Sequence, residues 1–421
     1  MSSSPQRVLL TPVGSHGDIH PFIGLALGLR IRGHDVHFIT LPHYRPLIES
    51  LGFPLATVGT DEDFESLTLH PDVWHPTRSV NVIFGQNGIA RRHLREGYAH
   101  VEERHVPGRT IVVGSLLAMW ARTAAEKMQI PMVTVHLQPS VLWSTVDPPE
   151  LPAMRMRDWW PHWFREALYG SADRYLFDRL IGPELNRFRA EVGLPPARRI
   201  VSRWAHSPDR ILGFFPAWYA DAPDWPAHFR HAGFVRYDQG DSFALPAHLE
   251  DFLTQGEPPI VFTFGSAQRQ GRPYFTAAAQ ACRLLGRRGL LIARGGDQIP
   301  DRLPDGVVHV DYAPFSRVFS RAAAVVHHGG IGTCAQALSA GVPQLVMPLA
   351  FDQPDNAQRL ERLGVGARLW PKAFTPPRVA EALRNLMASS ATANRAIALA
   401  ERMRDDDPVQ AACTLIEEMR G

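Results

Sequence analysis

Residues 327–333 read HHGGIGT and residues 14–20 read GSHGDIH; one segment offers two imidazoles beside three glycines, the other two imidazoles around a carboxylate. The first lies between an apolar run, AAAVV, and CAQALSAG, which is patterned as a short helix ending on glycine. A glycine-rich turn that opens a helix can bring backbone N–H groups against an anion with the helix dipole behind them, and His327 can add a hydrogen bond to a phosphate oxygen. The same residues also suit a tight strand-to-helix turn over a buried histidine. A metal site fits less well, because adjacent histidines on a strand point to opposite faces and no nearby Cys or carboxylate completes a ligand set. In GSHGDIH, the side chains of His16, Asp18 and His20 fall at every second position, and each could take a proton from a substrate hydroxyl. Asp18 could equally do no more than cap the helix before Pro21.

These segments follow apolar runs that alternate with helical patterns. RVLLTPV (7–13) predicts a buried strand, PFIGLALGLRIRG (21–33) a helix with Pro in its first turn and Gly at its end, and DVHFIT (35–40) the next strand. TIVVGS (110–115), a helix through MWARTAAEKM and PMVTVHL (131–137) repeat that βαβ rhythm. A second series begins at PPIVFTFGS (258–266) and continues through GLLIAR, VVHVDY, AAAVVHH and PQLVMP. The fold class expected is α/β, with two Rossmann-like doubly wound domains facing each other across a cleft. Residues 1–220 would form the first domain and 246–421 the second, its last helix returning to the first. The Pro-, Gly- and aromatic-rich segment 221–245 would link them. In such sheets ligands collect beyond the carboxyl ends of the strands, which singles out the loops GSHGDIH, GSAQ (265–268), YAPF (312–315) and HHGGIGT.

Composition narrows the partners. At 421 residues, 45% hydrophobic and 20% charged, the chain suits two globular domains. With 44 Lys and Arg against 42 Asp and Glu and no basic run, nothing suggests a nucleic-acid surface, which leaves small molecules. Three scattered cysteines make neither a disulfide framework nor a zinc site and fit a reducing compartment. The apolar run VLLTPV is too short for a signal-peptide core, and no stretch reaches the roughly 18 apolar residues of a membrane span, so a cytoplasmic location is expected. The acidic DED at 61–63 reads as a solvated loop. Nine of the ten tryptophans lie at or before residue 225, and Trp159, Trp160, Trp163, Phe164 and Leu168 recur at helical spacing with Arg155, Arg157 and Arg165 nearby. Packing in the core is the first reading of that stripe; a lid over a lipophilic acceptor, or peripheral contact with the inner face of the plasma membrane, is the functional one.

The longer stretch HHGGIGTCAQALSAGVPQLVMPLAFDQPDNAQRL resembles the donor-binding signature of inverting nucleotide-sugar glycosyltransferases of the GT-B architecture. The resemblance implies that His327 and the amides of Gly329, Gly330, Gly332 and Thr333 hold a diphosphate, with His328 a neighbour that has no direct role, and that Asp352 and Gln353 bind sugar hydroxyls. Gly265 and Ser266 would close on the phosphates, and Tyr312, with Ala313 beside it, would stack on the base. It implies no metal and no cofactor beyond the nucleotide-sugar co-substrate. Plant members carry a glutamate eight residues after the motif histidine, where it accepts from the ribose hydroxyls; here that residue is Ala335. A deoxyribose donor misses that carboxylate less, which favours a dTDP-sugar over a UDP-sugar.

GDIHP places Asp18 where plant members have the histidine of GHxxP, and bacterial antibiotic and sterol glycosyltransferases carry GSxGDxxP with aspartate as base, so the resemblance makes Asp18 the base, with His16 and His20 as alternatives. The aspartate that orients the plant histidine corresponds to Ser115, and a carboxylate base needs no such partner. The helix N-terminus beside Asp18 is expected to favour its charged form. Gly14, Ser115, Trp159 and Trp163 are the candidate acceptor contacts. Across VVGSLLAMWARTAAEKMQIP, HSPDRILGFFPAWYADAPDWP and PPIVFTFGS, the sequence is also similar to the rhamnosyltransferases of rhamnolipid synthesis. These move L-rhamnose from dTDP-L-rhamnose to a 3-(3-hydroxyalkanoyloxy)alkanoate; the alternative is a UDP- or dTDP-sugar glycosyltransferase acting on a sterol, polyketide or aromatic natural product.

Overall fold

The apolar runs pair into two wholly parallel sheets. Seven strands build the first: β1 (Arg7–Thr11), β2 (Asp35–Thr40), β3 (Leu55–Thr57), β4 (Thr110–Ser115), β5 (Met132–His136), β6 (Arg210–Gly213) and β7 (Phe229–His231), in the order β3-β2-β1-β4-β5-β6-β7. Six build the second: β8 (Ile260–Thr263), β9 (Gly289–Ile292), β10 (Val307–Val310), β11 (Ala324–His327), β12 (Gln344–Val346) and β13 (Gly366–Arg368), in the order β10-β9-β8-β11-β12-β13. The computed structural model describes residues 5–85, 88–89, 91–152, 156–157, 159–240, 243–265 and 268–420.

Central strands are apolar along most of their length because helices cover both faces. Leu9, Val112, Trp120 and Ile181 lie in one core, and Val261, Leu290, Val325 and Phe319 in the other. Burying each such Val, Leu, Ile or Phe contributes about 1.5–3 kcal/mol. Strand order reverses between β1 and β4 in the first sheet and between β8 and β11 in the second. These are the switch points where helices leave in opposite directions and a crevice opens at the carboxyl ends of the strands.

Two compact units contain these sheets, Met1–Val235 with Asp407–Gly421, and Arg236–Asp406. The segment expected as linker carries one short strand. Phe229–His231 is the edge strand β7 against β6, and Trp225 packs on Phe229 with ring centroids 4.9 Å apart. The helix Pro408–Glu417 belongs to the first unit, where Arg32 donates to Gln410 Oε1 at 2.7 Å and to Glu417 Oε2 at 2.7 Å.

Two local expectations change. The first helix runs His16–Ile31, five residues earlier than its Pro suggested, because Ser15 and Asp18 form a reciprocal capping box that starts it. The DED segment is not a loop but the first turn of the helix Asp61–Thr68. Asp63 accepts from the Thr60 N–H at 2.9 Å and pairs with His93 Nε2 at 2.9 Å and with Arg92.

Candidate active site

At the first switch point the chain leaves β1 through Pro12–Ser15 and enters the helix His16–Ile31. Polar side chains from neighbouring elements hold this turn. Thr40 Oγ1 donates to the Pro12 carbonyl at 2.6 Å, Tyr44 Oη to the Gly14 carbonyl at 2.8 Å, and the Val13 N–H to Ser115 Oγ at 3.2 Å. Ser115, at the end of β4, thus supports the loop backbone rather than an imidazole. Gly14 has φ +142°, and a Cβ there would lie 2.3 Å from Asp18 Oδ2, so only glycine leaves room for the carboxylate.

Asp18 Oδ2 accepts from the Ser15 N–H at 2.6 Å and from Ser15 Oγ at 3.0 Å. Both bonds favour the carboxylate, as does the helix end, yet burial outweighs them and raises its pKa above the ordinary aspartate value. The expected acidifying effect of the helix is overturned by desolvation. Among the described residues Oδ1 accepts no hydrogen bond. His16 and His20 stand one helical turn apart, with ring centroids 5.6 Å from each other, and His16 also meets His43 at 5.5 Å and Tyr44 at 5.2 Å. Two residues is about 200° of helix, which puts Asp18 on a different face from both. The fold separates the three groups that the sequence spacing had listed together.

Trp159 and Trp163 are 76% and 70% exposed, so neither packs in the core as helical spacing suggests. They flank and enter the helix His162–Ala172, edge-on to Trp160 and Phe164. Its inner face is held by Arg165, which donates to the Thr145 carbonyl at 2.6 Å, and by Tyr169 stacked on Trp143. Arg155 lies outside the described residues.

At the second switch point β11 ends on His327, and the helix Ile331–Ala340 starts from Gly330. The His327 ring is fully buried: Nε2–H donates to Gln344 Oε1 at 2.9 Å, and Nδ1 accepts from the Gly329 N–H at 3.1 Å. The two bonds fix one neutral tautomer and use both nitrogens, so the ring makes no phosphate contact in this arrangement, contrary to the role expected of it. Burial lowers its pKa to about 4. His328, expected to be a bystander, is the imidazole beside the loop: Cβ atoms on Gly265 and Gly330 would lie 2.9 and 2.6 Å from its ring. Burial lowers its pKa to about 3, so it too is neutral.

The loop amides are not equivalent. Thr333 and Cys334 N–H groups close back on the Gly330 carbonyl, each at 3.0 Å, which removes Thr333 from the expected donors. The first N–H groups of this helix, those of Ile331 and Gly332, precede the first intrahelical bonds, and no side chain caps them. Gly265 follows β8 at φ +97°; Ser266 lies outside the described residues.

Asp352 is the N-cap of the helix Gln353–Leu363, half-buried, and its charge helps push the buried Cys334 thiol upward after desolvation. Gln353 is turned inward, its Oε1 accepting from the Leu349 N–H at 2.7 Å and the Ala350 N–H at 3.1 Å. Its side-chain carbonyl thus holds the loop backbone. Asn356, to which the sequence assigned no role, donates from Nδ2 to the Gly329 carbonyl and to Asp352 Oδ2. Tyr312 is half-buried at the end of β10, edge-on to Phe243 at 5.2 Å, with the Arg294 guanidinium 5.7 Å from its centroid. Ala313 is buried behind it, and Ala335 is buried in the glycine-loop helix. Among the described residues no three His, Cys, Asp or Glu side chains gather as a metal site.

Comparison with known proteins fits both halves. Residues 8–145 match the glycosyltransferase family 28 N-terminal domain, and residues 291–418 match the erythromycin biosynthesis protein CIII-like C-terminal domain. The chain is 33% identical over 438 aligned residues to O-mycaminosyltylonolide 6-deoxyallosyltransferase of Streptomyces fradiae, covering 98% of this chain and 97% of the relative. In fold it resembles the kitacinnamycin glycosyltransferase (TM-score 0.73, 22% identity, 99% and 100% of the two chains). It also resembles the spinosyn rhamnosyltransferase SpnG complexed with thymidine diphosphate (TM-score 0.68, 18% identity, 97% and 99%). The two parallel sheets with their switch-point loops, the two domain matches and the full-length relative together make this chain a member of the GT-B glycosyltransferases of the family 28 and erythromycin CIII-like type.

Proposed function

We propose that the enzyme is an inverting hexosyltransferase that moves L-rhamnose from dTDP-L-rhamnose to a hydroxyl of a lipophilic acceptor such as a 3-(3-hydroxyalkanoyloxy)alkanoate. The observation that carries this reading is Asp18, a carboxylate raised in pKa by burial and aimed by Ser15 and Gly14 with one oxygen unengaged. Oδ1 takes the proton of the acceptor hydroxyl as its oxygen attacks the anomeric carbon. The bond from that carbon to the phosphate oxygen breaks with inversion, and the diphosphate leaves toward the N–H groups of Ile331 and Gly332. His328, being neutral, contributes a hydrogen bond rather than a charge. Asp352 receives sugar hydroxyls, and Tyr312 supports the base.

Counted from His328, the imidazole beside the loop, the position eight residues on is Gln336 rather than the buried Ala335; neither is a carboxylate, which supports a deoxyribose donor. Trp159 and Trp163 support a lipophilic acceptor, since two indoles this exposed suit an apolar chain or the membrane surface that carries it. A polyketide macrolactone is the second acceptor class, favoured by the tylonolide-derived substrate in the name of the Streptomyces relative.

Turnover of dTDP-L-rhamnose with a hydroxyalkanoyloxyalkanoate and with a macrolactone, followed by mass spectrometry in the presence of EDTA, tests the reading. Transfer to the first acceptor with metal chelated is expected, and transfer to the macrolactone alone would move the enzyme to the second class. Calorimetry should give dTDP binding at least as tight as UDP; a clear UDP preference would refute the argument from the missing carboxylate.

A further inference from the structure

Asn356 lies in the first turn of the helix Gln353–Leu363 and is fully buried. Its Nδ2 donates to the Gly329 carbonyl at 2.9 Å and to Asp352 Oδ2 at 2.6 Å, which engages both protons of the amide. One of these partners belongs to the glycine loop and the other to the carboxylate assigned to the sugar. The two segments touch through their backbones at this point. Gly329 has φ +93°, and a Cβ there would lie 2.8 Å from Val346 Cγ1 and 3.1 Å from the Gln353 carbonyl oxygen. From the other side, Gln353 Oε1 holds the Leu349 and Ala350 N–H groups, and Phe351 between them and Asp352 takes φ +57°, a backbone conformation that an aromatic residue rarely adopts.

We propose that Asn356 is a positioning residue for hexose recognition: one amide group ties the Asp352 carboxylate to the glycine loop, so the sugar hydroxyls meet an acceptor whose plane is already fixed relative to the diphosphate. This rests on the reading of Asp352 as the sugar ligand. A carboxylate oxygen bonded to a buried amide donor is oriented more tightly than one bonded to water, and the charge makes that bond a strong one. Without the tie, the loop carrying Phe351 and Asp352 loses its connection to Gly329, while the N–H groups of Ile331 and Gly332 stay in place.

The test compares affinities of the full chain for dTDP and dTDP-L-rhamnose by calorimetry, with UDP and UDP-glucose as a second pair; the ratio within each pair reports the contribution of the sugar. Asn356→Ser is expected to lower the ratio about tenfold. Asp352→Asn should lower it similarly, and the double variant no further than either single one. Asn356→Gln retains the amide and displaces it by one methylene, so it should lose the ratio with a thermal midpoint near that of the unaltered protein, which keeps the test open if the serine variant does not fold. Equal weakening of both ligands, with the ratio intact, would overturn the proposal while leaving Asp352 as the sugar ligand. A ratio unmoved by Asp352→Asn would overturn the assignment of Asp352, and the role of Asn356 with it.

Discussion

The two switch points use one plan with opposite fillings. In each, a central strand ends, a short turn follows, and a helix starts with glycine at its second position: Ser15-His16-Gly17-Asp18 in the first unit and Gly330-Ile331-Gly332-Thr333 in the second. The third helical residue differs. Asp18 supplies the first helix with an anion of its own, bonded to the Ser15 N–H and hydroxyl. Thr333 is neutral, its N–H turns back on Gly330, and the second helix start has no side-chain cap. A helix N-terminus attracts negative charge either way. The first satisfies that attraction internally with Asp18; the second has no side chain that does so, as the proposed diphosphate site requires.

Removing the internal anion should have the largest effect. Asp18→Asn is expected to lower kcat by about 10² to 10⁴ while leaving donor affinity nearly unchanged, as read by steady-state kinetics and calorimetry. Near-normal turnover would return the base to His16 or His20. Stability should move the other way. Because the folded pKa of Asp18 lies above its ordinary value, its favourable contribution is present at low pH and is lost as pH rises through the raised pKa. Asp18→Asn should therefore raise the thermal midpoint at pH 7, and that gain should vanish on acidification below the ordinary aspartate range.

Making the second helix resemble the first comes next. Thr333→Asp puts a carboxylate at the corresponding position, where it suits the helix but repels a diphosphate. Like charges in such proximity cost several kcal/mol, so nucleotide affinity should fall about a hundredfold or more with little change in thermal midpoint. Unchanged dTDP binding would break the comparison. Gly14→Ala crowds the Asp18 carboxylate and forces an unfavourable φ, and should lower kcat about tenfold with donor affinity intact.

The smallest effect concerns a feature the units share. Each buries a pair of imidazoles near the carboxyl ends of its strands, His327 with His328 and His136 with His206, the latter pair 2.8 Å apart, and burial depresses all four. A depressed histidine contributes stability that is present above its ordinary pKa of about 6.5 and lost as pH falls through the folded value. Circular dichroism should show the thermal midpoint steady above pH 7 and falling toward pH 4, where His327 and His206 titrate. A midpoint flat down to pH 4 would mean these rings are hydrated and not buried.

Strand runs and glycine spacing were legible in the chain because they are local: an apolar stretch of five and a glycine before a helix have the same meaning wherever they occur. The same reasoning set the first helix five residues late, since Pro21 is a conspicuous signal and the Ser15–Asp18 box a quiet one. It read Trp159 and Trp163 first as core and then as a lid or membrane face, because helical spacing describes a stripe without saying which way the stripe faces.

Sequence by itself thus determined the α/β rhythm and the two glycine-bearing turns, both of which depend on neighbours in the chain. Only the tertiary structure decided which histidine flanks the loop, because Gln344 lies seventeen residues beyond His327 and reaches it through the pairing of β11 with β12. Tertiary structure also decided the acidity of Asp18, since desolvation depends on everything packed around a carboxylate and no local pattern encodes it. The role of Asn356 has the same origin: its partners Gly329 and Asp352 become neighbours only when the two turns fold against each other.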